Sequence, residues 1–200
     1  MDSKNEDVIK AAGRIIVMSG TQALTINTLF REPEIKGKSF LRSLKDDEDI
    51  YEILLLNFEI ELIELIGGIS VKCETPDKEL ELLFKRLYVL FKKKPWNLAL
   101  IFDNNLSKRY KWFDKSIFRI KNMAKNYLTD LIDRGKKEKV FATSEDTKIL
   151  VRYILSSFSS LRNDYQLGWK IIATLKIYSQ PRINKKKQNH AKRQNIYSKN

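Results

Sequence analysis

Apolar side chains recur at helical spacing along most of the chain, and the breaks between the periodic stretches predict about nine helices. The first stretch carries Val8, Ala12, Ile15 and Ile16 on one stripe; Ser3 and Glu6 are spaced as a capping box before it, and Gly20 offers a stop after it. Thr25 is the next N-cap, opening a short helix in which Ile26, Leu29 and Phe30 point one way until Pro33 ends it. Beyond the Pro33-Glu34 hinge, Ile35, Phe40, Leu41 and Leu44 can share a buried face while Lys36, Lys38, Ser39, Arg42 and Ser43 face outward. A short basic helix braced by another suits the major groove of DNA; the bland alternative is a solvated surface helix.

Asp46 to Asp49 then supply acid to the first turn of a fourth helix, whose tract Ile50 to Ile66 is apolar on most sides, with Gly67-Gly68 as its stop. Thr75-Pro76 reads as N-cap and first-turn proline of a helix reaching Lys94, with Leu80, Leu83, Phe84, Leu87, Tyr88 and Phe91 inward. A shorter helix covers about Trp96 to Asn104, and a long one runs from about Lys108 to Arg134, closed by Gly135. Thr143 and Asp146 resemble a capping box for a helix starting near Ser144, and Asp164 a cap for the last one, in which Leu167, Ile171, Leu175 and Tyr178 repeat.

The composition agrees with a compact all-α protein: 42% of residues are hydrophobic, with 7 Gly and 4 Pro in 200 positions. The chain order predicts a small helical head over 1–46, a larger helical body over 47–180, and a basic, flexible tail over 181–200. Arg182, Lys185, Lys186, Lys187, Lys192, Arg193 and Lys199 place seven of the net +13 charges in that tail. Such a tail attracts any polyanion, or serves only to keep the chain soluble. No apolar run reaches the ~18 residues of a membrane span, and the acidic, polar start is unlike a secretory signal, so a cytoplasmic protein without membrane insertion is expected. One cysteine, Cys73, excludes an internal disulfide and a multi-cysteine metal site, and no cofactor is expected. The lone His190 lies in the tail and no Gly-rich phosphate loop is present, which argues against an enzyme.

The chain resembles the tetracycline-repressor-like (TetR) family of bacterial regulators. The resemblance rests on Ala11-Ala12, Gly20, Thr25-Ile26, Leu29-Phe30, Ile35, Phe40-Leu41, Leu44, and Glu48 with Ile50, about a fifth of the chain. It implies a homodimer whose helix-turn-helix heads sit in successive major grooves of a palindromic double-stranded operator, about one DNA turn apart. It also implies a ligand-responsive repressor, with a body cavity whose occupation by a small apolar or amphipathic effector changes the spacing of the heads. Carried over by position, Lys36, Gly37, Lys38 and Ser39 would lie nearest base edges, while Thr25, Arg42, Ser43 and Lys45 would hold phosphates. The body's aromatics Tyr88, Trp96, Phe102, Trp112, Phe113, Tyr127 and Tyr153 are candidates for the pocket wall. Tyr153, Ser156, Ser157, Ser160, Leu167, Ile171 and Leu175 are candidates for a two-fold helical interface.

The chain departs from the family pattern at five positions. Glu34 and Lys36 stand where the turn usually carries Gly and Ser, Leu41 and Ser43 where aromatics are common, and Asp47 where the fourth helix usually carries a phosphate-binding Lys. A carboxylate there would repel DNA, which motivates a second reading: a dimeric interaction protein that keeps the fold but has weakened or lost operator reading.

Overall fold

The computed structural model of the protein describes residues 3–35, 44–70, 73, 75–160 and 166–177. Among them the only regular structure is helical. The head starts with α1 (Ser3–Ser19), which ends where Gly20 takes a φ of 83° and donates its N–H to the Ile16 carbonyl. A 3-10 turn (Thr21–Ala23) leads into α2 (Ile26–Phe30). Val8, Ala11, Ala12, Leu24, Leu29 and Ile35 form the head's interior, all buried.

Thr25 is the N-cap of α2 as its spacing predicts: its hydroxyl accepts the Thr28 N–H at 3.1 Å, and the Thr28 hydroxyl accepts the Thr25 N–H at 2.9 Å. After α2 the chain turns through Pro33, and Arg14 on α1 pins the turn by donating to Glu32 at 2.9 Å and to Glu34. Glu34 is therefore an anchor for α1, a role that glycine at this turn could not fill. The arginine beside it holds the Glu34 carboxyl below the ordinary range. Residues 36–43, on which the basic outward face was predicted, lie outside the described residues.

The body comprises α3 (Asp47–Ser70), α4 (Pro76–Lys93), α5 (Trp96–Ile101), α6 (Asn104–Arg109), α7 (Lys111–Lys137), α8 (Thr147–Ser157) and α9 (Leu167–Ile177). The α4 helix packs against α3, α7 and α9, α8 lies along α7, and α1 of the head rests on α5. The apolar α3 is only partly enclosed: Ile50, Tyr51, Leu54, Leu55 and Phe58 are buried, whereas Leu56, Ile60 and Ile63 lie exposed.

Several boundaries differ from the sequence reading, for physical reasons. The α3 helix runs through Gly67-Gly68 to Ser70, because Ile69 is completely buried. Burying an isoleucine contributes about 1.5 to 3 kcal/mol, enough to offset a helical-glycine cost of about 1 kcal/mol per residue. Gly135 likewise does not close α7: the helix continues to Lys137, and Lys139 takes the left-handed backbone at φ 59°. Gly135 is there for space, since a Cβ would lie 2.0 Å from the Phe141 ring. Residues 104–109 form a helix of their own, capped by Asp103, whose carboxylate accepts the Asn105 N–H at 2.7 Å. The α8 helix starts at Thr147 with Asp146 alone as its cap, while the Thr143 hydroxyl accepts the Glu145 N–H. Thr75 occupies the N-cap of α4 without a side-chain cap bond. Asp164 and Tyr178 lie outside the described residues.

These differences separate two kinds of helical glycine. Gly67 has nothing within 4 Å of an added Cβ, so Gly67→Ala should stabilise the protein by about 0.5 to 1 kcal/mol. Gly135→Ala should instead destabilise by about 1 to 3 kcal/mol through overpacking against Phe141. Urea unfolding of both variants checks the contrast, and equal shifts would refute it.

Candidate nucleic-acid head, its seat on the body, and the cavity

Of the residues assigned to DNA, Thr25 and Lys45 are described; Lys36, Gly37, Lys38, Ser39, Arg42 and Ser43 lie outside the described residues. The Thr25 hydroxyl is engaged in the α2 cap. The Lys45 side chain is exposed, and its backbone N–H donates to the Asp49 carboxylate at 2.6 Å.

The acidic run beside Lys45 is spent on backbone. Asp46 caps α3, accepting the Glu48 and Asp49 N–H groups at 2.9 and 3.3 Å. Asp47 reaches back to the head, where it accepts the Ile26 N–H of α2 at 2.7 Å, and its other oxygen lies 3.7 Å from the Arg109 guanidinium. Short acidic side chains satisfy free amides at helix starts, which explains aspartate in this position.

Asp47 belongs to a polar seat joining head and body. The buried Tyr51 hydroxyl donates to the Thr21 carbonyl at 2.6 Å and to the Leu24 carbonyl at 3.2 Å. Burial pushes the Tyr51 ionisation well above the ordinary phenol range, so the group remains a neutral donor. The Thr21 hydroxyl donates to Asp103, the carboxylate that caps α6. The Tyr110 ring lies 5.5 Å from that of Tyr51, and the Arg109 guanidinium is 5.1 Å from the Tyr110 ring. Beside this seat Trp96 lies flat against Gly13 of α1, where an added Cβ would come within 2.4 Å of the indole.

Immediately beyond α5 is a cavity of about 660 Å³, enclosed mainly by α3, α4, α5, α7 and α8. Its wall is aliphatic and aromatic: Phe58 and Leu62 come from α3, Leu83, Leu87 and Phe91 from α4, and Leu98, Ile101 and Phe102 from the α5 segment. Of the seven aromatics proposed from sequence, Phe102 and Tyr127 line it. Phe113 is buried core, packed edge-to-face against the half-buried Trp112, Trp96 serves the head contact, Tyr88 is half-buried under Lys92, and Tyr153 is exposed.

Tyr127 donates its hydroxyl to the buried Glu79 at 2.8 Å, and Arg134 donates to the same carboxylate at 2.5 Å. Burial and the Glu79 carboxylate push the Tyr127 ionisation far up, so it remains a neutral phenol whose proton is given to Glu79. Sequence reading missed Lys121, Lys125, Lys148 and Arg152, all of which line the cavity. Their one signal was a spacing of four residues on each of two successive helices.

The residues proposed for a two-fold interface separate into two sets. Tyr153, Ser156 and Ser160 are exposed and Ser157 and Leu167 half-buried, whereas Ile171 and Leu175 are buried against the chain's own body, where α9 lies on α4. Gly168 permits that approach, since a Cβ there would fall 2.5 Å from the Phe84 side chain. The outward face of α9 is Lys170, Ala173 and Thr174. Ile149, at 52% exposure, joins Tyr153, at 55%, on the outward face of α8.

This arrangement is the fold of the TetR-like transcription regulators. The chain is similar to the ketosteroid regulator KstR2 of Mycobacterium tuberculosis, with a TM-score of 0.73 at 17% identity over 88% of this chain and 94% of that one. It is similar to a TetR regulator from Haloarcula marismortui, with a TM-score of 0.68 at 20% identity over 90% and 97%. A third similar structure is FadR from Bacillus subtilis in complex with stearoyl-CoA, with a TM-score of 0.69 at 14% identity over 86% and 98%. No family model matches the chain, and no curated protein matches it. Among the described residues no helix is long and apolar enough to cross a membrane, and no group of metal-ligating side chains occurs.

Removing the polar seat should loosen the head. Asp47→Ala should cost about 1 kcal/mol through the lost α2 cap, and Tyr51→Phe a similar amount through the two carbonyls left short of a donor. Hydrogen exchange of the α1 and α2 amides should accelerate in both variants while α7 amides keep their protection. Unchanged head exchange would show that apolar contact alone holds the junction.

Proposed function

We propose that the protein is a ligand-responsive transcription regulator, a repressor that binds a palindromic operator as a homodimer. The observation that carries this reading is the α5–α6 segment. Ile101 and Phe102 line the cavity, and the next residue, Asp103, receives the Thr21 hydroxyl of the head. A small apolar or amphipathic effector that shifts the cavity wall would therefore act directly on the seat of the head. A ligand moves such an equilibrium only through differential contacts with the two states, and a wall residue joined to a head contact supplies them.

The reading further assigns Lys36, Gly37, Lys38 and Ser39 to base edges, Thr25, Arg42, Ser43 and Lys45 to the backbone, and the basic tail to sequence-independent affinity. The alternative, a dimeric protein of this fold that no longer reads an operator, was motivated by Asp46 to Asp49. With Asp46, Asp47 and Asp49 engaged on backbone amides, that motive is weakened.

Selection of bound fragments from genomic DNA at physiological salt tests the proposal. A short palindrome should emerge, and Lys38→Ala or Arg42→Ala should weaken binding to it by about 1 to 3 kcal/mol. Removing residues 181–200 should weaken binding to every sequence alike and flatten the salt dependence. Sequence-independent binding that survives the first two changes but vanishes with the tail would overturn the proposal. Asp103→Ala should keep operator affinity within a few-fold while reducing effector-driven release, read from operator titrations with and without effector.

A further inference from the structure

We infer that the effector is an anionic amphiphile, a long acyl or alkyl tail whose negatively charged head seats among Lys121, Lys125, Lys148 and Arg152. This deepens the effector half of the proposed function and rests on it.

The four cations enter the cavity lining from two neighbouring helices. Lys121 and Lys125 are one turn apart on α7, and Lys148 and Arg152 one turn apart on α8, which packs along α7. All four residues are exposed while also lining the cavity, so their charge is in reach of solvent. Among the described residues no acid lines the cavity, and none of the four cations forms an ion pair. Basic groups at other joints of the fold are matched: Arg14 meets Glu32, Lys94 meets Glu61, Arg119 meets Glu59 and Arg134 meets Glu79. Glu79, the acid behind the wall residue Tyr127, already holds Arg134 and the Tyr127 proton. That side of the cavity therefore presents four basic groups with no ion-pair partner among the described residues, over an apolar interior, and such a set of charges favours an anion.

The interior selects the tail. A cavity of about 660 Å³ walled by Phe58, Leu62, Leu87 and Phe91 rewards a ligand that brings apolar surface out of water. A small hydrophilic anion would leave that wall wet, and a neutral hydrocarbon would leave the cations unmatched. Two sources share the chemistry: a free fatty acid, with one carboxylate, and an acyl thioester of a phosphorylated nucleotide carrier, with several charges.

Calorimetric titration of the intact protein without DNA tests this, so that a failure to find an operator leaves the result interpretable. The ligands are lauroyl-coenzyme A, laurate, methyl laurate and coenzyme A. The anionic amphiphiles should bind at least about tenfold more tightly than methyl laurate or coenzyme A, and, unlike methyl laurate, should weaken as salt is raised. Lys125→Gln with Arg152→Gln should weaken them by about tenfold and leave methyl laurate unchanged, which also reports an intact cavity. Lys121→Gln with Lys148→Gln provides the same comparison should the first pair unfold. A thioester stronger than laurate assigns the cations to phosphate, and equal affinities assign them to a carboxylate; both support the inference. Methyl laurate binding as tightly as the anions, or anion binding indifferent to both pairs of substitutions, would overturn it.

Discussion

The orientation of the head depends on the Tyr51 hydroxyl beneath the carbonyls of Thr21 and Leu24. Apolar contact between α1 and the body favours burial but does not choose among nearby registers, because the hydrophobic effect is not directional. A buried hydroxyl facing two carbonyls is directional, and misalignment leaves polar groups unpaired at about 1 to 3 kcal/mol each. Asp47 on the Ile26 amide and Thr21 on Asp103 repeat the constraint from two more elements. Three short polar contacts thus hold the head in one pose without making the junction rigidly hydrophobic.

The cavity and that seat meet at one peptide bond. Phe102 belongs to the wall and Asp103 to the head contact, and consecutive Cα atoms across a trans peptide are fixed at about 3.8 Å. A displacement of the wall at Phe102 therefore acts one residue away from the head contact at Asp103. The short α6 that follows is capped by the same carboxylate, so moving Asp103 disturbs a helix start and a head contact at once. Arg109 at the far end of α6 approaches Asp47, closing a loop of contacts from α6 through α3 to α2.

Much of the helix order was readable from periodicity and caps, because both are local: Gly20, Thr25 and Pro76 act within a few residues of themselves. What escaped depends on partners distant in sequence. Gly135 and Gly168 have the composition of helix stops but exist to admit Phe141 and Phe84, and no local pattern separates the two uses. Aromatic spacing marked Phe84, Phe91 and Phe113 as buried but also picked out the exposed Tyr153, and of the pocket candidates only Phe102 and Tyr127 lie in the cavity wall, since periodicity does not report where the interior is hollow. The cation pairs on α7 and α8 are each indistinguishable from a solvated face until the two helices are brought together. The acidic run has a use that its net charge does not show, since Asp46, Asp47 and Asp49 accept from backbone amides at 2.6 to 3.3 Å.

The proposed two-fold face has to be consistent with the cationic side of the cavity, since both use α8. Adjacent helical residues point about 100° apart, so Ile149 and Tyr153 project to one side of Lys148 and Arg152. Ile171 and Leu175 are committed to the body, which leaves the small Ala173 and Thr174 as the outward surface of α9. Small residues on α9 and Ser156 on α8 permit close approach of a second copy, with Ile149 and Tyr153 supplying the apolar area to be covered. Association through that face keeps like charges out of the interface centre, where unpaired cations would be costly. It also leaves Lys148 and Arg152 at its edge, beside the cavity, so that dimer formation and ligand entry draw on different sides of one helix.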